Sequence, residues 1–298
     1  MTKIEQRLID LANAINLHLK IEKHEYLNGN KFCEHNKIYP QTNEDLTNLP
    51  VPQDASTLNA LTVLGSGDQA FNLVSLGIKH VDTFDINRLT EYYALGFKKT
   101  AIEILNYEQF IELFCPYGYS AVSSKLIELE KEVIKNMPLI YRKFWENFLN
   151  MRREYEYNPS VFHLTYSTSN FAKAISNNKY LLNAEMYNAL KRKISTAKIE
   201  FVAANITDVP QLFGRYDYID FSNVLYFYQG IFPEESAKKA INLVKSVYEN
   251  NLNEGGLFKY YYDFGGLRHL PKVGGQIEKE YVLGSDTTSI LKRTINMN

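Results

Sequence analysis

The first clear change in the pattern of apolar and polar residues lies near residue 60. Residues 58–64 form a mostly apolar run of strand length, which ends at Gly65-Ser66-Gly67-Asp68. Apolar residues then recur at helical spacing until Gly77, and a second short run, 81–85, ends in an acid. A strand, a glycine turn, a helix, a strand and an acid in this order predict a βαβ unit.

Helical and extended patterns alternate through the rest of the chain. The predicted helices cover 3–20, 92–105, 107–114, 124–151 with an interruption at Pro138, one or two segments within 170–196, and 234–250. The predicted later strands cover 199–203, 216–222 and 257–262. Strands that alternate with helices indicate an α/β protein with a Rossmann-like, doubly wound and mostly parallel sheet.

The spacing of these elements predicts three regions. Residues 88–198 separate the second strand from the third, whereas an ordinary crossover needs only a few tens of residues. We therefore interpret 88–198 as a helical insertion that forms an acceptor-binding or lid region. Residues 1–55 are an N-terminal helix and loop, and residues 56–87 with 199–298 form the nucleotide-binding core.

Composition and charge narrow the class of protein. The chain has 298 residues and a net charge of -1, from 33 Lys and Arg against 34 Asp and Glu, so no basic field favours nucleic acid as a partner. Its two cysteines fit a reducing compartment. Charges are interleaved at the N-terminus, and every apolar stretch is too short to span a bilayer. We expect a cytoplasmic protein without a transmembrane segment.

The glycine turn and the acid after it predict a ligand that contains adenosine. Gly65 and Gly67 allow the backbone to approach a ligand closely, and the helix that follows offers free N–H groups. Asp85 lies eighteen residues after Gly67, where a carboxylate accepts the two ribose hydroxyls. A metal site is not predicted, because Cys33 and His35 match no common zinc spacing.

Two cofactors compete for this site. The turn formally matches the dinucleotide pattern, but Asp68 would place a like charge beside a pyrophosphate. S-adenosylmethionine carries positive groups instead, and the polar residues after the third and fourth strands also suit it. The predicted cofactor-binding residues are Gly65, Ser66, Gly67, Asp68, Gln69, Asp85, Ile86, Asn205, Ile206 and Asn223. Tyr226 and Asp263 follow later strands and are the candidate catalytic residues.

Four segments resemble one known family. Leu61–Leu73, His80–Asn87, Ala101–Phe110 and the pair Phe144-Trp145 are similar to the enzymes of betaine-lipid synthesis that transfer a 3-amino-3-carboxypropyl group from S-adenosylmethionine to diacylglycerol. The resemblance implies a class I methyltransferase-like fold with an added helical region, and methylthioadenosine as the product. The chain departs from the family at Gln69, where the family usually has Asn.

The resemblance leaves alternatives open. We expect an aminocarboxypropyl transferase that acts on a lipid hydroxyl or another small-molecule acceptor, with peripheral membrane contact as one option. A class I methyltransferase and a non-catalytic protein that binds S-adenosylmethionine are the alternatives. The aromatic residues of the insertion either cover the sulfonium or pack the insertion's own core. These residues are Tyr92, Tyr93, Phe97, Tyr141, Phe144 and Trp145.

Overall fold

The chain is represented by a computed structural model. It describes residues 6–7, 10, 38–42, 44–51, 55–114, 124–153, 160–165, 175–224, 233–262, 276–283 and 286–292. Contacts between residues divide the chain into two compact units. Unit one contains residues 1–49, 64–75 and 87–196, and unit two contains residues 50–63, 76–86 and 197–298. The domain boundaries inferred from the sequence stay a prediction.

Unit two contains a seven-stranded sheet. Its strands are β1 (Asn59–Val63), β2 (His80–Asp85), β3 (Lys198–Ala203), β4 (Tyr216–Asp220), β5 (Leu252–Tyr262), β6 (Gln276–Leu283) and β7 (Asp286–Lys292). Their order is β3-β2-β1-β4-β5-β7-β6. Strands β1 to β5 are parallel, and β7 runs antiparallel to both of its neighbours.

The register places the carboxyl ends of the parallel strands at one edge of the sheet. Val63, at the end of β1, lies opposite Phe84 of β2, and Thr62 lies opposite Asp220 at the end of β4. Strand order reverses between β1 and β4, which is the switch point beside which sheets of this kind bind ligands. The predicted Rossmann-like α/β fold is confirmed.

The helices complete both units. Unit one contains α1 (Asp68–Ser75), a π-helical segment (Glu91–Lys98), α2 (Lys99–Ile104), α3 (Tyr107–Phe114), α4 (Ser124–Asn136), α5 (Leu139–Arg152) and α6 (Ala184–Ile194), and unit two contains α7 (Val209–Leu212) and α8 (Pro233–Asn251). Short 3-10 turns cover Ala55–Thr57, Val161–Leu164, Lys179–Leu181 and Ile206–Asp208. None of the described helices has the length and hydrophobicity needed to cross a membrane.

The central strands are almost continuous apolar runs in the sequence because they are buried. Ala60 and Leu61 of β1 are fully buried, as expected for a parallel strand that is covered on both faces. Val244 and Val247 of α8 belong to the same hydrophobic cluster as Leu61. Strand β3, at the end of the strand order, alternates instead between half-buried and exposed residues. The hydrophobic core of unit two therefore lies along its central strands.

The helices of unit one confirm one prediction from the sequence and contradict another. The predicted interruption at Pro138 is confirmed, because α4 ends at Asn136 and α5 begins at Leu139. The α-helical spacing predicted from Tyr92 onward is wrong for residues 91–98, which form a π-helix. A Cβ at Gly96 would lie 2.9 Å from the Cβ of Tyr141, so glycine permits close packing in this wider helix. Most of the predicted N-terminal helix lies outside the described residues.

Candidate functional site

The glycine turn after β1 needs glycine at two positions. Gly65 and Gly67 have positive φ angles of 47° and 86°, a region that favours glycine. The N–H of Gly67 donates to the carbonyl of Leu64 at 2.7 Å and closes the turn. A Cβ at Gly67 would lie 2.7 Å from a ring carbon of Phe71, so any side chain there would collide with α1.

Asp68 begins α1 and is fully buried in unit one. Its Oδ1 atom accepts hydrogen bonds from Lys98 Nζ and the Tyr180 hydroxyl, both at 2.6 Å. Its Oδ2 atom accepts from the backbone N–H of Thr42 at 2.7 Å and from the Ser66 hydroxyl at 2.8 Å. We call these five residues the Asp68 cluster. Four protein donors thus occupy both carboxylate oxygens.

Lys98 supplies the positive charge of the Asp68 cluster and is itself fully buried. Its ammonium group also donates to the carbonyls of Pro40 at 3.1 Å and Ser66 at 3.3 Å, and it lies 5.7 Å from the centre of the Phe114 ring. A buried ion pair persists only when its remaining hydrogen-bonding capacity is met, as it is here. The cluster therefore fixes the glycine turn to the segment around residue 40.

This arrangement gives Asp68 partners different from those expected of a cofactor ligand. The sequence suggested that its charge would face the positive groups of S-adenosylmethionine, whereas the structure pairs it with Lys98. Ser66 and Gln69 are also buried, and Gln69 Nε2 lies 3.4 Å from the Thr42 hydroxyl. Within unit one these side chains hold the turn in place.

Asp85 and Asn205, two of the predicted cofactor-binding residues, lie at the carboxyl ends of the neighbouring strands β2 and β3. Asp85 is half-buried at the end of β2, and its carbonyl accepts a hydrogen bond from the N–H of Ala204 at 3.1 Å. Asn205 is exposed, and its Oδ1 accepts from the N–H of Thr207 at 3.1 Å, which caps the following turn. Ile206 is only 6% exposed and belongs to the core cluster. Ile86, next to Asp85, is half-buried.

The end of β4 contains a buried ion pair that the sequence analysis missed. Lys259 Nζ on β5 lies 2.9 and 3.2 Å from the two carboxylate oxygens of Asp220, and both side chains are buried. Asp220 also accepts from the N–H of Ser222, which has a positive φ of 50°. Such a conformation is strained for a residue other than glycine and often marks a functional turn. Asn223, in this turn, is half-buried.

One signal in the sequence could have revealed this pair. Lys259 interrupts an otherwise aromatic run, and the residues directly before and after Asp220 are apolar. Opposite charges in two buried strands are expected to pair with each other. Tyr226 and Asp263, the candidate catalytic residues, lie outside the described residues, as do Cys33 and His35.

The aromatic residues of the insertion pack against one another. Trp145 is fully buried, and its indole N–H donates to the carbonyl of Tyr92 at 3.1 Å. The ring centre of Phe144 lies 4.6 Å from that of Tyr92 and 4.8 Å from that of Trp145, and Phe97 lies 6.0 Å from Trp145. These contacts favour a packing role for these rings over a role in covering a cofactor.

The strand order of unit two defines the class of fold. A 3-2-1-4-5-7-6 sheet in which β7 runs antiparallel to both of its neighbours is a Rossmann-like, doubly wound α/β sheet. No family model matches the chain, and no curated protein matches it by sequence.

Solved structures with a similar fold include three methyltransferases or methylases. The rRNA methyltransferase aviRa from Streptomyces viridochromogenes is 9% identical at a TM-score of 0.40, over 83% of this chain and 80% of that chain. A putative methylase from Haemophilus influenzae is 12% identical at 0.37, over 81% and 90%. Magnesium protoporphyrin IX methyltransferase from Synechocystis PCC 6803, solved with S-adenosylmethionine, is 10% identical at 0.34, over 80% and 70%. Similarity this distant carries no information about substrate or reaction.

Proposed function

We propose that the chain is an S-adenosylmethionine-dependent transferase that moves a 3-amino-3-carboxypropyl group to a lipid hydroxyl or another small-molecule acceptor. The observation that carries the proposal is the position of Asp85. It lies at the carboxyl end of β2, one strand from the switch point of the Rossmann-like sheet. A fold alone does not define an activity, so the choice of transferred group rests on the sequence resemblance.

Asp85 would hold the ribose of the cofactor. Its carboxylate can accept hydrogen bonds from both ribose hydroxyls, and the exposed side chain of Asn205 would meet the adenine edge at the end of β3. Ile86 and Ile206 would contribute apolar surface, and Asn223 would contribute a polar group at the end of β4. A part for residues 65–69 in cofactor binding remains a prediction from the sequence.

The reaction requires alignment more than acid–base chemistry. The acceptor oxygen forms a bond to the γ-carbon of the aminocarboxypropyl group, the bond from that carbon to sulfur breaks, and methylthioadenosine leaves with the electron pair. The hydroxyl proton of the acceptor passes to solvent water. Because positive charge disappears at sulfur, orientation and exclusion of water supply most of the rate enhancement. We retain Tyr226 and Asp263 as proposed groups that orient the acceptor.

The alternative is a class I methyltransferase, which the same sheet suits equally well. Purified protein is incubated with S-adenosylmethionine and a cell extract that contains lipid, and the nucleoside product is identified by mass spectrometry. Methylthioadenosine is the expected product. S-adenosylhomocysteine as the sole product would show methyl transfer instead, and binding without turnover would indicate a regulatory protein. Separate extraction of lipids and water-soluble products identifies the class of acceptor.

Replacing Asp85 by alanine should weaken S-adenosylmethionine binding by roughly 1.5–3 kcal/mol, because hydrogen bonds to a charged group are lost. Isothermal titration calorimetry measures the change. Glu254→Ala is the matched control, since it removes an exposed carboxylate near the start of β5 and should leave affinity unchanged. Equal affinities of the Asp85 variant and the wild type, or tighter binding of NAD than of S-adenosylmethionine, would contradict the cofactor assignment.

A further inference from the structure

Three side chains on one part of the sheet form a cluster that the proposed function does not use. His80 and Asp82 are two residues apart on β2 and therefore point to the same face, and Glu200 lies directly opposite Asp82 on β3. One ligand atom from each residue lies within 4.8 Å of the other two. We call these residues the His80 cluster.

The imidazole nitrogen of this cluster has an unusual environment. His80 Nε2 lies 3.2 Å from Asp82 Oδ1 and 3.4 Å from Glu200 Oε2. The nitrogen atom is buried, yet among the described residues it forms no hydrogen bond of acceptable geometry with either oxygen or with any other group. It is thus directed between two carboxylates without donating well to either.

The two distances from His80 Nε2 match the spacing of neighbouring ligand atoms around a tetrahedral metal ion. Zinc binds histidine nitrogen and carboxylate oxygen at about 2.0–2.1 Å, which places neighbouring ligand atoms of a tetrahedron about 3.3 Å apart. We propose that the His80 cluster binds a divalent transition-metal ion of the zinc type, with His80, Asp82 and Glu200 as ligands and water in the fourth position.

The surroundings of the cluster support this assignment. The Tyr216 hydroxyl donates to Asp82 Oδ2 at 2.6 Å and so holds Oδ1 toward His80. Hydrogen bonds of this kind orient metal ligands in known sites. Lys198 Nζ lies 2.7 Å from Glu200 Oε2 and must move aside when the metal binds. Its side chain is 61% exposed, so solvent is open to it.

The position of the cluster suggests a structural role for the metal. His80 begins β2 and Asp85 ends it, so the cluster lies near the amino end of the strand, about 15 Å along it from the proposed ribose site. A metal there would link β2 to the edge strand β3 and would stabilise the folded chain as its concentration rises. The proposal is independent of the proposed transferase activity.

Titration of the metal-free protein with ZnCl₂ at pH 7.5, followed by calorimetry, tests the proposal. We expect one zinc ion per chain at this site and a melting temperature that rises with zinc concentration. His80→Ala should weaken binding at least tenfold, and Tyr216→Phe should weaken it by roughly 10–100-fold, as loss of an orienting hydrogen bond does at other metal sites. Lys198→Met should strengthen binding, because a competing cation is removed.

Cobalt provides a second readout that a merely structural role of these side chains would not produce. Co²⁺ bound by the wild type should give the intense visible absorption of a four-coordinate ion, and His80→Ala should abolish it. Glu254→Gln is the control, because it changes an exposed carboxylate outside the cluster. Circular dichroism establishes that each variant is folded. Absence of zinc binding, or equal zinc affinity in the wild type and in His80→Ala, would overturn the proposal.

Discussion

Replacement of Lys98 by methionine is expected to lower the free energy of unfolding of unit one by roughly 3–5 kcal/mol, the usual cost of removing one partner of a buried ion pair. Lys98 and Asp68 are both fully buried, and their charged atoms lie 2.6 Å apart. Methionine has a similar volume, so the loss comes from the uncompensated carboxylate rather than from a cavity. Urea unfolding measures it through the fluorescence of Trp145, the single tryptophan of the chain.

Two further variants separate the charge effect from a general defect. Asp68→Asn combined with Lys98→Met removes both charges and should recover at least half of the lost free energy. Lys99→Met is the matched control, because the neighbouring lysine is partly exposed, pairs with Glu103 one helical turn away and should contribute less than about 1 kcal/mol. A double variant no more stable than Lys98→Met would refute the ion-pair account.

Unit one is also expected to lose about 2.5 kcal/mol of stability, relative to a Glu130→Gln variant, as pH rises from 5 to 8. Burial raises the pKa of Glu130 from 4.5 to about 7, while hydrogen bonds from Ser160 and from the N–H of Val161 oppose the shift. Between pH 4.5 and about pH 7, the carboxyl group of Glu130 is ionised in the unfolded chain but still protonated in the folded chain. Stability therefore falls by roughly 1.4 kcal/mol per pH unit and levels off above the folded pKa.

Glutamine preserves the size of this side chain and cannot ionise. Urea unfolding at half-unit pH steps measures the free energy of unfolding of both proteins. As pH rises, the wild type should lose stability relative to Glu130→Gln. Other titrating groups affect both proteins equally and cancel in the difference. Parallel stability curves for the two proteins would mean that Glu130 does not titrate as inferred.

The parallel strands could be predicted from the sequence because the patterns that indicate them are local. The apolar run of β1, the glycine turn and the acid that ends β2 lie within thirty residues, and each limits the backbone in its own way. Strands β6 and β7 were not predicted. Their residues mix polar and apolar types, and a hairpin at the end of a sheet is stabilised mainly by its neighbour β5.

The charged clusters could not be predicted from the sequence, because their residues are far apart in the chain. Lys98 and Tyr180 follow Asp68 by 30 and 112 residues, and only the folded chain shows that they meet. Glu200 is similarly distant from His80. No periodic pattern reports such pairs, so the sequence alone did not reveal the partners of Asp68 or the roles of Lys98, Asp220 and Lys259.

The place of β3 at the end of the strand order also affects how the protein behaves in concentrated solution. Among the described strands β3 pairs only with β2, and an edge strand of this kind is where a strand of another molecule could add. Val202 on this strand is 42% exposed, while Lys198 and Glu200 carry exposed charges that discourage such addition. Neutralising these charges is thus expected to promote aggregation, even in a variant whose fold is intact.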